Sequence, residues 1–484
     1  MTASVPILDP TEVEHVNSAV ASWAASGEVV RGVNIARVVV QDDALADLAQ
    51  TAAEMKRGGA IHDQQDRTPM SRAGADIKAL ATDILTGAGA VNTLVLPEDA
   101  GQPFAATWES AQALSHRLAG CGVVVVVGSG SITDVVKYAR HLDAEARGQP
   151  VPMISFPTAA SVTAYTSALA VLKVDGTKRT LASQPPDAVI CDLQTLRDAA
   201  PAMTVAGFGD VLARSVAYGD WYLAWQLGMD DGFSEIPGKL LAHAEQAMID
   251  RAEAVAARKA DGVRAVMDAL LLAGMAMSVV NQTAPVSGWE HVISHFLDMT
   301  ADHDGRTPAL HGGQVGVGTL VSAHAYERVW ATLDLDRLAA PVSARDIDAD
   351  LQRIEGMFNT FDPSGKMAVE VVRDYAKKAR RWQDALAVRR AFAERKRAGE
   401  YDAYLRANVR PARAVHKALA RATAPRTFAD LDQPIADERA VSAIRCGHLI
   451  RSRFTLGDLL DQSGWLDTAN ARGLLAAITQ EEAT

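Results

Sequence analysis

The sequence has few cysteines, few aromatic residues and no excess of positive charge. Three cysteines are scattered through 484 residues. They form no CxxC pair, which argues against a disulfide framework or a cysteine metal site and favours a reducing cytoplasm. The formal net charge of −11 disfavours a general surface for nucleic acid or anionic membranes. Aromatic residues make up only 5%, but the hydrophobic share of 48% is ordinary for a globular protein.

Long hydrophobic runs and targeting signals are also lacking. The longest apolar-rich stretch, around residues 269–280, is predicted to be too short to span a bilayer. The N-terminus lacks the basic start and apolar run of a signal peptide. A cytoplasmic location without a membrane span is therefore expected.

The order of predicted elements changes near residue 200. Before it, short β-rich runs such as Val123–Val127 alternate with helical patterns, which predicts a mostly parallel, doubly wound α/β sheet. Gly59–His62 is a poor strand candidate, whereas residues 168–182 predict a hairpin with its turn at Asp175-Gly176. After residue 200, alanine- and leucine-rich helical patterns predominate. A chain of this length is expected to form more than one domain, and we place the two at 1–200 and 201–484.

The segment Gly128-Ser129-Gly130 lies between the valine run and a predicted helix, as in dinucleotide-binding turns. Glycines let the backbone approach a phosphate, and the N–H groups of the first helical turn point toward it. Asp134 lies in that turn, where a carboxylate suits the dipole or can bind a ligand hydroxyl. The alternative is a plain strand-to-helix turn capped by Ser131, because a lone glycine pair is weak evidence.

A second loop with hydroxyl side chains follows the next predicted strand. It contains Thr158 and Ser161. Ligands of parallel sheets bind at the carboxyl ends of the strands, where both segments are expected to lie. Together the two segments favour a nucleotide site, although Thr and Ser are also common in turns and caps.

One carboxylate and several imidazoles have the composition of an open metal site. His291 and His295 are four residues apart and share a helix face, His311 precedes a glycine-rich segment, and Asp210 follows Gly207-Phe208-Gly209. A set of three protein ligands leaves a coordination position for water or substrate, as in catalytic zinc sites. Taken singly, each residue also has a structural explanation as a helix cap or a packed histidine.

Several segments, in this order, resemble the sn-glycerol-1-phosphate dehydrogenases. These belong to a wider group of dehydroquinate synthase-like and iron-containing alcohol dehydrogenase-like proteins. The resemblance extends from about residue 35 to about residue 466. The matching segments are residues 128–137, 157–167, 201–221, 287–295, 310–318 and 450–460.

The resemblance implies a dehydroquinate synthase-like fold, with an N-terminal Rossmann-like sheet domain and a C-terminal all-helical domain that binds metal. It implies that Asp210, His291 and His311 bind one divalent metal, usually zinc, with nickel or iron as alternatives. His295 would be the catalytic residue. The substrate would contact His295, Asp210 and Thr163. The cofactor, NAD or NADP, would contact Asp66, Gly128, Gly130, Ser131, Asp134, Thr158, Ser161 and Ser167.

One position departs from the family pattern. The family has Thr-Ala-Ala-Ser, one further residue and then an Asp that contacts substrate, whereas this chain has Thr163. A site built to bond a substrate hydroxyl discriminates strongly against a mismatch. We therefore expect a changed pocket and a substrate other than glycerol 1-phosphate.

The predicted activity is that of a metal-dependent, NAD(P)-linked alcohol dehydrogenase acting on a small polyol or a phosphorylated substrate. Two alternatives stay open: a sugar-phosphate cyclase of the dehydroquinate synthase type, and a binding protein that has lost catalysis. No nucleic-acid partner is expected, and the sequence leaves room for a homo-oligomer.

Overall fold

A computed structural model describes residues 5–25, 28–97, 104–175 and 177–480. The chain forms two compact units. The first comprises Met1–Val174, Lys178–Val211 and Glu235–Gln282, and the second comprises Asp175–Thr177, Leu212–Ser234 and Thr283–Thr484. The assignment of a cofactor domain to 1–200 and a metal-binding domain to 201–484 stays a prediction.

The strands build one six-stranded sheet and two small two-stranded sheets. The described strands are β1 (Arg37–Gln41), β2 (Ala60–Asp66), β3 (Ser71–Arg72), β4 (Ala75–Asp76), β5 (Val91–Leu96), β6 (Cys121–Gly128), β7 (Met153–Pro157), β8 (Leu169–Val174), β9 (Thr177–Ala182) and β10 (Ala188–Asp192). The large sheet has the order β1-β10-β7-β6-β2-β5, and all of its pairs are parallel. The predicted parallel α/β fold is therefore confirmed.

The helices follow the strands and occupy almost all of the chain beyond residue 200. The α-helices are α1 (Val13–Trp23), α2 (Leu45–Met55), α3 (Ile77–Thr86), α4 (Trp108–Ser115), α5 (Gly130–Arg147), α6 (Leu193–Asp198), α7 (Pro201–Leu212), α8 (Arg214–Gln226), α9 (Ile236–Asp250), α10 (Ala252–Ala256), α11 (Ala260–Val280), α12 (Trp289–His303), α13 (His311–Val329), α14 (Leu335–Leu338), α15 (Ala344–Phe361), α16 (Lys366–Asp384), α17 (Leu386–Arg397), α18 (Asp402–Asn408), α19 (Ala412–Arg421), α20 (Asp437–Cys446), α21 (Leu456–Gln462) and α22 (Thr468–Gln480). Short 3-10 helices span Thr163–Tyr165, Ala284–Val286, Trp330–Thr332 and Gly447–Ile450. Among the described residues after 200 there is no strand, which confirms the predicted helical C-terminal region.

The valine run of β6 is buried on both faces of the sheet. Val123, Val125 and Val127 pack with residues of α2 and α3, whereas Val124 and Val126 pack with residues of α4 and α5. Successive strand residues point to opposite faces, so a strand covered by helices on both sides needs an uninterrupted apolar run. This explains why the strand could be predicted from the sequence.

The strand β2 corrects the expectation that residues 59–62 make a poor strand. It spans seven residues and pairs with both β5 and β6. Its polar residues are buried in a network in which the Gln65 amide donates to Asp63 at 2.7 Å and the Thr82 hydroxyl donates to Asp63 at 2.6 Å. Partners from α3, distant in sequence, therefore make a polar segment stable inside the sheet, where local propensity had disfavoured it.

The predicted hairpin over residues 168–182 corresponds to β8 and β9, which form a two-stranded sheet. The Ser183 N–H donates to the Ala168 carbonyl at 2.8 Å, just outside the pair. Gly176, the second residue of the predicted turn, lies outside the described residues.

The apolar stretch expected to be too short for a membrane span belongs to a longer helix. α11 has 21 residues and is long and apolar enough to cross a bilayer by length and composition. The helix is therefore longer than the apolar stretch on which the expectation was based. However, 83% of its most apolar window is buried inside the structure, as in the core helix of a globular unit.

We expect Asp63→Asn to reduce the pH dependence of stability. Burial raises the pKa of Asp63 to about 6, against hydrogen bonds from Thr82, Gln65 and Thr93 that lower it. A carboxyl with a raised folded-state pKa stabilises the fold fully below its unfolded pKa of about 4, and this contribution is lost as pH rises through about 6. A shift of about two pKa units corresponds to about 3 kcal/mol.

The measurement is the melting temperature of wild type and variant at about pH 5 and about pH 8. Wild type should lose more thermal stability over this range than Asp63→Asn. The control is Asp83→Asn, since Asp83 is an exposed residue of the same helix that carries Thr82. Parallel pH profiles for wild type and Asp63→Asn would contradict the assignment.

Candidate metal centre

Three predicted ligands come together in the structure. Asp210 lies near the end of α7, His291 near the start of α12, and His311 is the first residue of α13. Each offers one ligand atom, and these atoms all lie within 4.8 Å of one another. Asp210 and His291 are 3% and 8% exposed, so a bound ion would be largely shielded from water. One carboxylate and two imidazoles fit a divalent metal with an open coordination position.

Both imidazoles are oriented by a neighbouring side chain on α12. The Nδ1 of His291 lies 2.9 Å from Glu290 Oε1, and the Nδ1 of His311 lies 2.9 Å from Ser294 Oγ. A histidine that donates Nδ1–H to an oxygen carries its lone pair on Nε2, the nitrogen then presented to a metal. The donor set therefore has the second hydrogen bonds that metal-binding histidines normally make.

His295, the predicted catalytic residue, lies beside these ligands. It is one helical turn after His291 and is buried. Its ring stacks on that of His311, with centroids 5.5 Å apart and an interplanar angle of 14°. Its Nδ1 lies 3.5 Å from an Nη atom of Arg451. Because a guanidinium only donates hydrogen bonds, this contact favours the neutral tautomer with its proton on Nε2.

Sequence reasoning missed two buried carboxylates behind His291, those of Glu290 and Asp220. Asp220 accepts the backbone N–H of Trp289 at 2.9 Å and the hydroxyl of Tyr326 at 2.7 Å. Burial, and then repulsion by Glu290, raises the pKa of Asp220 to about 7. The position of Glu290 directly before His291 was the available signal for its role, whereas Asp220 is 71 residues away from that histidine.

Three of the predicted cofactor residues, Asp66, Gly128 and Thr158, lie where neighbouring strands end. Gln65 of β2 pairs with Val127 of β6, and Gly128 of β6 pairs with Pro157 of β7. The Thr158 N–H donates to the Gly128 carbonyl at 3.1 Å, which joins the second loop to the glycine turn. Register in the parallel sheet therefore brings Asp66, Gly128 and Thr158 to one edge, as expected for a ligand site of this fold class.

Asp66 faces the glycine turn but is also ion-paired. A Cβ placed on Gly128 would lie 3.6 Å from Asp66 Oδ2. The other oxygen, Oδ1, lies 2.5 Å from Lys78 Nζ and accepts the Thr68 N–H at 2.8 Å. Lys78 offsets the cost of burying this carboxylate and fixes its orientation at the edge of the sheet.

The start of α5 differs from the simplest expectation. Ser129, and not Ser131, is the N-cap residue, and its side chain makes no capping hydrogen bond. Ser131 is exposed in the first turn. A Cβ on Gly130 would lie 2.3 Å from Val162 Cγ2, so glycine is required here for close packing of the 158–167 loop. Gly130 therefore has a packing role in addition to the predicted contact with cofactor.

Asp134 is turned into the protein. Its carboxylate lies 2.8 Å from Lys137 Nζ and accepts the Val171 N–H at 3.2 Å. Burial raises its pKa, and the charge of Lys137 opposes that shift. Lys137 also donates to the carbonyls of Ala164 and Leu169 at 2.8 and 2.6 Å. In this structure Asp134 thus acts with Lys137 to hold the loop, and contact with cofactor stays a prediction.

The remaining predicted positions lie in that loop. Thr158 and Ser161 are buried, and Ser161 Oγ lies 3.4 Å from the Tyr165 hydroxyl. Ser167 is buried and its hydroxyl accepts the Leu169 N–H at 3.1 Å. Thr163 is partly buried at the start of the 3-10 helix. Thr158, Ser161, Thr163 and Ser167 are therefore carried on one well-packed segment.

Comparison with known proteins places the chain among dehydrogenases. The iron-containing alcohol dehydrogenase family matches residues 40–201. The glycerol-1-phosphate dehydrogenase (NAD(P)+) of Bacillus subtilis (strain 168) is 34% identical over 237 residues, which are 49% of this chain and 58% of that protein. The corresponding protein of Bacillus licheniformis is 30% identical over 303 residues, which are 62% of this chain and 72% of that protein. The chain thus covers less than two thirds of the Bacillus subtilis protein, and it covers 65% and 63% of the corresponding proteins of Bacillus velezensis and Pyrococcus furiosus.

A solved structure shows the same fold. The crystal structure of a probable glycerol dehydrogenase from Sinorhizobium meliloti 1021 aligns with a TM-score of 0.55 over 91% of this chain and 98% of that chain. The sequence identity is 17%, so this likeness concerns the fold alone. The relative that is 30% identical and covered over 72% of its length shows that the chain belongs to the glycerol-1-phosphate dehydrogenase family, within the group of iron-containing alcohol dehydrogenase-like proteins.

Proposed function

We propose that the chain is a metal-dependent, NAD(P)-linked dehydrogenase that interconverts an alcohol and a carbonyl on a small polyol or polyol phosphate. The observation that carries the proposal is the convergence of ligand atoms from Asp210, His291 and His311 within 4.8 Å, in a chain of this family. Its relatives are named for oxidation of glycerol 1-phosphate with NAD(P)+. Zinc is the metal we propose, because two imidazoles and one carboxylate are ligands typical of catalytic zinc.

The chain's own residues prepare the metal site. When bound, a divalent ion supplies a Lewis acid that polarises the oxygen of the reacting carbon. Asp210 supplies a negative charge, while Glu290 and Ser294 hold the two imidazoles in place. The neighbouring His295 stacks on the ring of His311 and is thereby placed to exchange a proton with the substrate oxygen. We assign proton transfer to it because imidazole titrates near neutral pH.

The sheet edge is the proposed dinucleotide site. When bound, a nicotinamide supplies the hydride donor or acceptor of the reaction. The backbone N–H groups at the start of α5 and the hydroxyl of Thr158 are suited to bind the pyrophosphate. Asp66 is suited to accept hydrogen bonds from the adenosine ribose, as an acidic residue does in this type of fold. A carboxylate there repels a 2′-phosphate, so we propose NAD as the preferred cofactor.

Position 163 sets the substrate in this proposal. The loop that carries Thr163 is held by Lys137 and by packing on Gly130, so its backbone is fixed independently of the side chain at 163. A neutral hydroxyl there binds a substrate hydroxyl less strongly than the family's carboxylate. We therefore propose that the preferred substrate differs from glycerol 1-phosphate at the group that meets this residue.

The first expected result is NAD(P)H formation from one or more polyols or polyol phosphates that is abolished by a chelator and restored by zinc. Asp210→Ala and His311→Ala should each lower kcat/KM by about a thousandfold, because loss of several kcal/mol of charge stabilisation corresponds to that factor. His303→Ala is the control, since His303 ends the same helix that carries His291. Unchanged turnover in Asp210→Ala would refute the site. Turnover without net NADH would favour a cyclase.

The second expected result concerns cofactor preference. Asp66→Asn should lower the ratio of kcat/KM for NAD+ to kcat/KM for NADP+ by about tenfold, equivalent to about 1.4 kcal/mol, because it removes the charge that opposes a 2′-phosphate. Asp76→Asn is the control, because Asp76 caps the helix that carries Lys78 and is exposed. An unchanged ratio in Asp66→Asn would remove Asp66 from the proposed site.

The third expected result concerns substrate choice. Thr163→Asp should raise kcat/KM for glycerol 1-phosphate, relative to the best substrate of wild type, by about tenfold or more, since hydrogen bonds to buried charged groups discriminate strongly. Thr163→Ser keeps the hydroxyl and should leave the ratio close to that of wild type. Equal substrate profiles for wild type and Thr163→Asp would show that position 163 does not select the substrate.

A further inference from the structure

Glu290 is completely buried in the first turn of α12, directly before a proposed metal ligand. Its Oε1 lies 2.5 Å from the Gly288 backbone nitrogen and 2.9 Å from His291 Nδ1, and so accepts a hydrogen bond from each. The start of a helix favours a negative charge at this position. One carboxylate oxygen therefore both completes the helix start and orients the imidazole.

Burial of the other carboxylate oxygen of Glu290 costs free energy. Glu290 Oε2 is buried and has no hydrogen-bond partner among the described residues. A Cβ placed on Gly288 would lie 2.9 Å from Glu290 Oε2 and 2.7 Å from Asp220 Oδ2, so only glycine leaves room for both carboxylates. Two like charges so close to each other repel, which calls for a reason to keep Glu290 here.

A buried guanidinium partly compensates this pair. The guanidinium of Arg453 donates to Thr283 Oγ1 at 2.6 Å and to Ser287 Oγ at 2.9 Å, and its charge attracts both Glu290 and Asp220. The Glu290 carboxylate therefore holds its negative charge directly against the imidazole of His291. A divalent cation bound on the other side of that imidazole would offset it, because charges in a buried environment interact strongly.

The same helix also orients the second imidazole. Ser294 is fully buried one turn after Glu290, and its hydroxyl lies 2.9 Å from His311 Nδ1. Helix α12 thus supplies one ligand and the partners of both histidines, one charged and one neutral. This difference allows the contribution of charge to be separated from that of orientation.

We propose that Glu290 and Ser294 are positioning residues that set metal affinity through His291 and His311, with Glu290 the stronger because its carboxylate adds negative charge to the bonded imidazole. This inference rests on the metal site of the proposed function. Outer partners of this kind typically change metal affinity by about 10- to 100-fold.

The test measures the affinity of the metal-free full chain for Zn²⁺ by competition with a chelating dye. Glu290→Gln keeps the size of the side chain and removes its charge, and should weaken Zn²⁺ binding by about 10- to 100-fold. The control is Asp220→Asn, which removes the other carboxylate of the pair. Asp220 is bonded to Trp289, Tyr326 and Leu456 and makes no contact with His291 that the structure describes. Asp220→Asn should change Zn²⁺ affinity by less than about threefold and should change the thermal stability instead.

A second readout separates positioning from general loosening of the fold. The Co²⁺-loaded Glu290→Gln protein should show a shifted visible absorption spectrum relative to Co²⁺-loaded wild type, whereas Asp220→Asn should keep the wild-type spectrum. If Glu290→Gln does not fold, Ser294→Ala tests the same inference at His311. Ser294→Ala should weaken Zn²⁺ binding by about 3- to 10-fold, which is less than the loss expected for Glu290→Gln.

The outcomes are distinct. Wild-type affinity and spectrum in both Glu290→Gln and Ser294→Ala would overturn the inference and leave the metal site itself intact. Equal losses of affinity in Glu290→Gln and Asp220→Asn would also overturn it, because they would show a structural effect of the whole cluster. If wild type itself binds no Zn²⁺ or Co²⁺, the proposed function fails together with this inference.

Discussion

A carboxylate removed from water must be paired, and this constraint shapes both candidate sites. An isolated buried charge is so costly that a fold keeps one only with a partner or a ligand. Asp66 is paired with Lys78 and Asp134 with Lys137, each as one carboxylate with one ammonium group. The charge of Arg453 instead acts on both Glu290 and Asp220, and also on Asp230 and Asp458. Asp66 and Asp134 therefore each have one ammonium partner, whereas Glu290 lies beside a second carboxylate and holds its charge against His291, where a bound cation would be favoured.

The parts of the fold that the sequence predicted are those that local pattern determines. The valine run of β6 could be identified because a strand buried on both faces has no polar positions. Asp210, His291 and His311 could be grouped because the resemblance linked segments far apart in the chain, and the structure brings their ligand atoms together. Spacing alone put His291 and His295 on one helix face, whereas the resemblance paired His291 with His311 as metal ligands.

The parts that the sequence did not reveal depend on contacts between distant residues. The strand β2 was underrated because its polar residues Asp63 and Gln65 are stabilised by Thr82, which lies on a helix. Asp134 seemed suited to a ligand hydroxyl, yet Lys137 and the Val171 N–H engage its carboxylate. Ser131 seemed a cap, but the N-cap residue is Ser129, two positions earlier. For β2 and for Asp134, partners distant in sequence, Thr82 and the Val171 N–H, contribute contacts that the local sequence does not show.

In the 158–167 loop, the contacts that hold the backbone differ from the side chain that is proposed to bind substrate. Its backbone is fixed by Lys137, which donates to the carbonyls of Ala164 and Ser167, and by α11, whose Gly274 leaves no space for a Cβ beside Thr166. None of these contacts uses the side chain of Thr163. A change from carboxylate to hydroxyl at that position can therefore alter what the loop binds while the surrounding hydrogen bonds keep the backbone in place. Diversity of substrates on one fold is expected at such positions, because there a substitution changes recognition at little cost in stability.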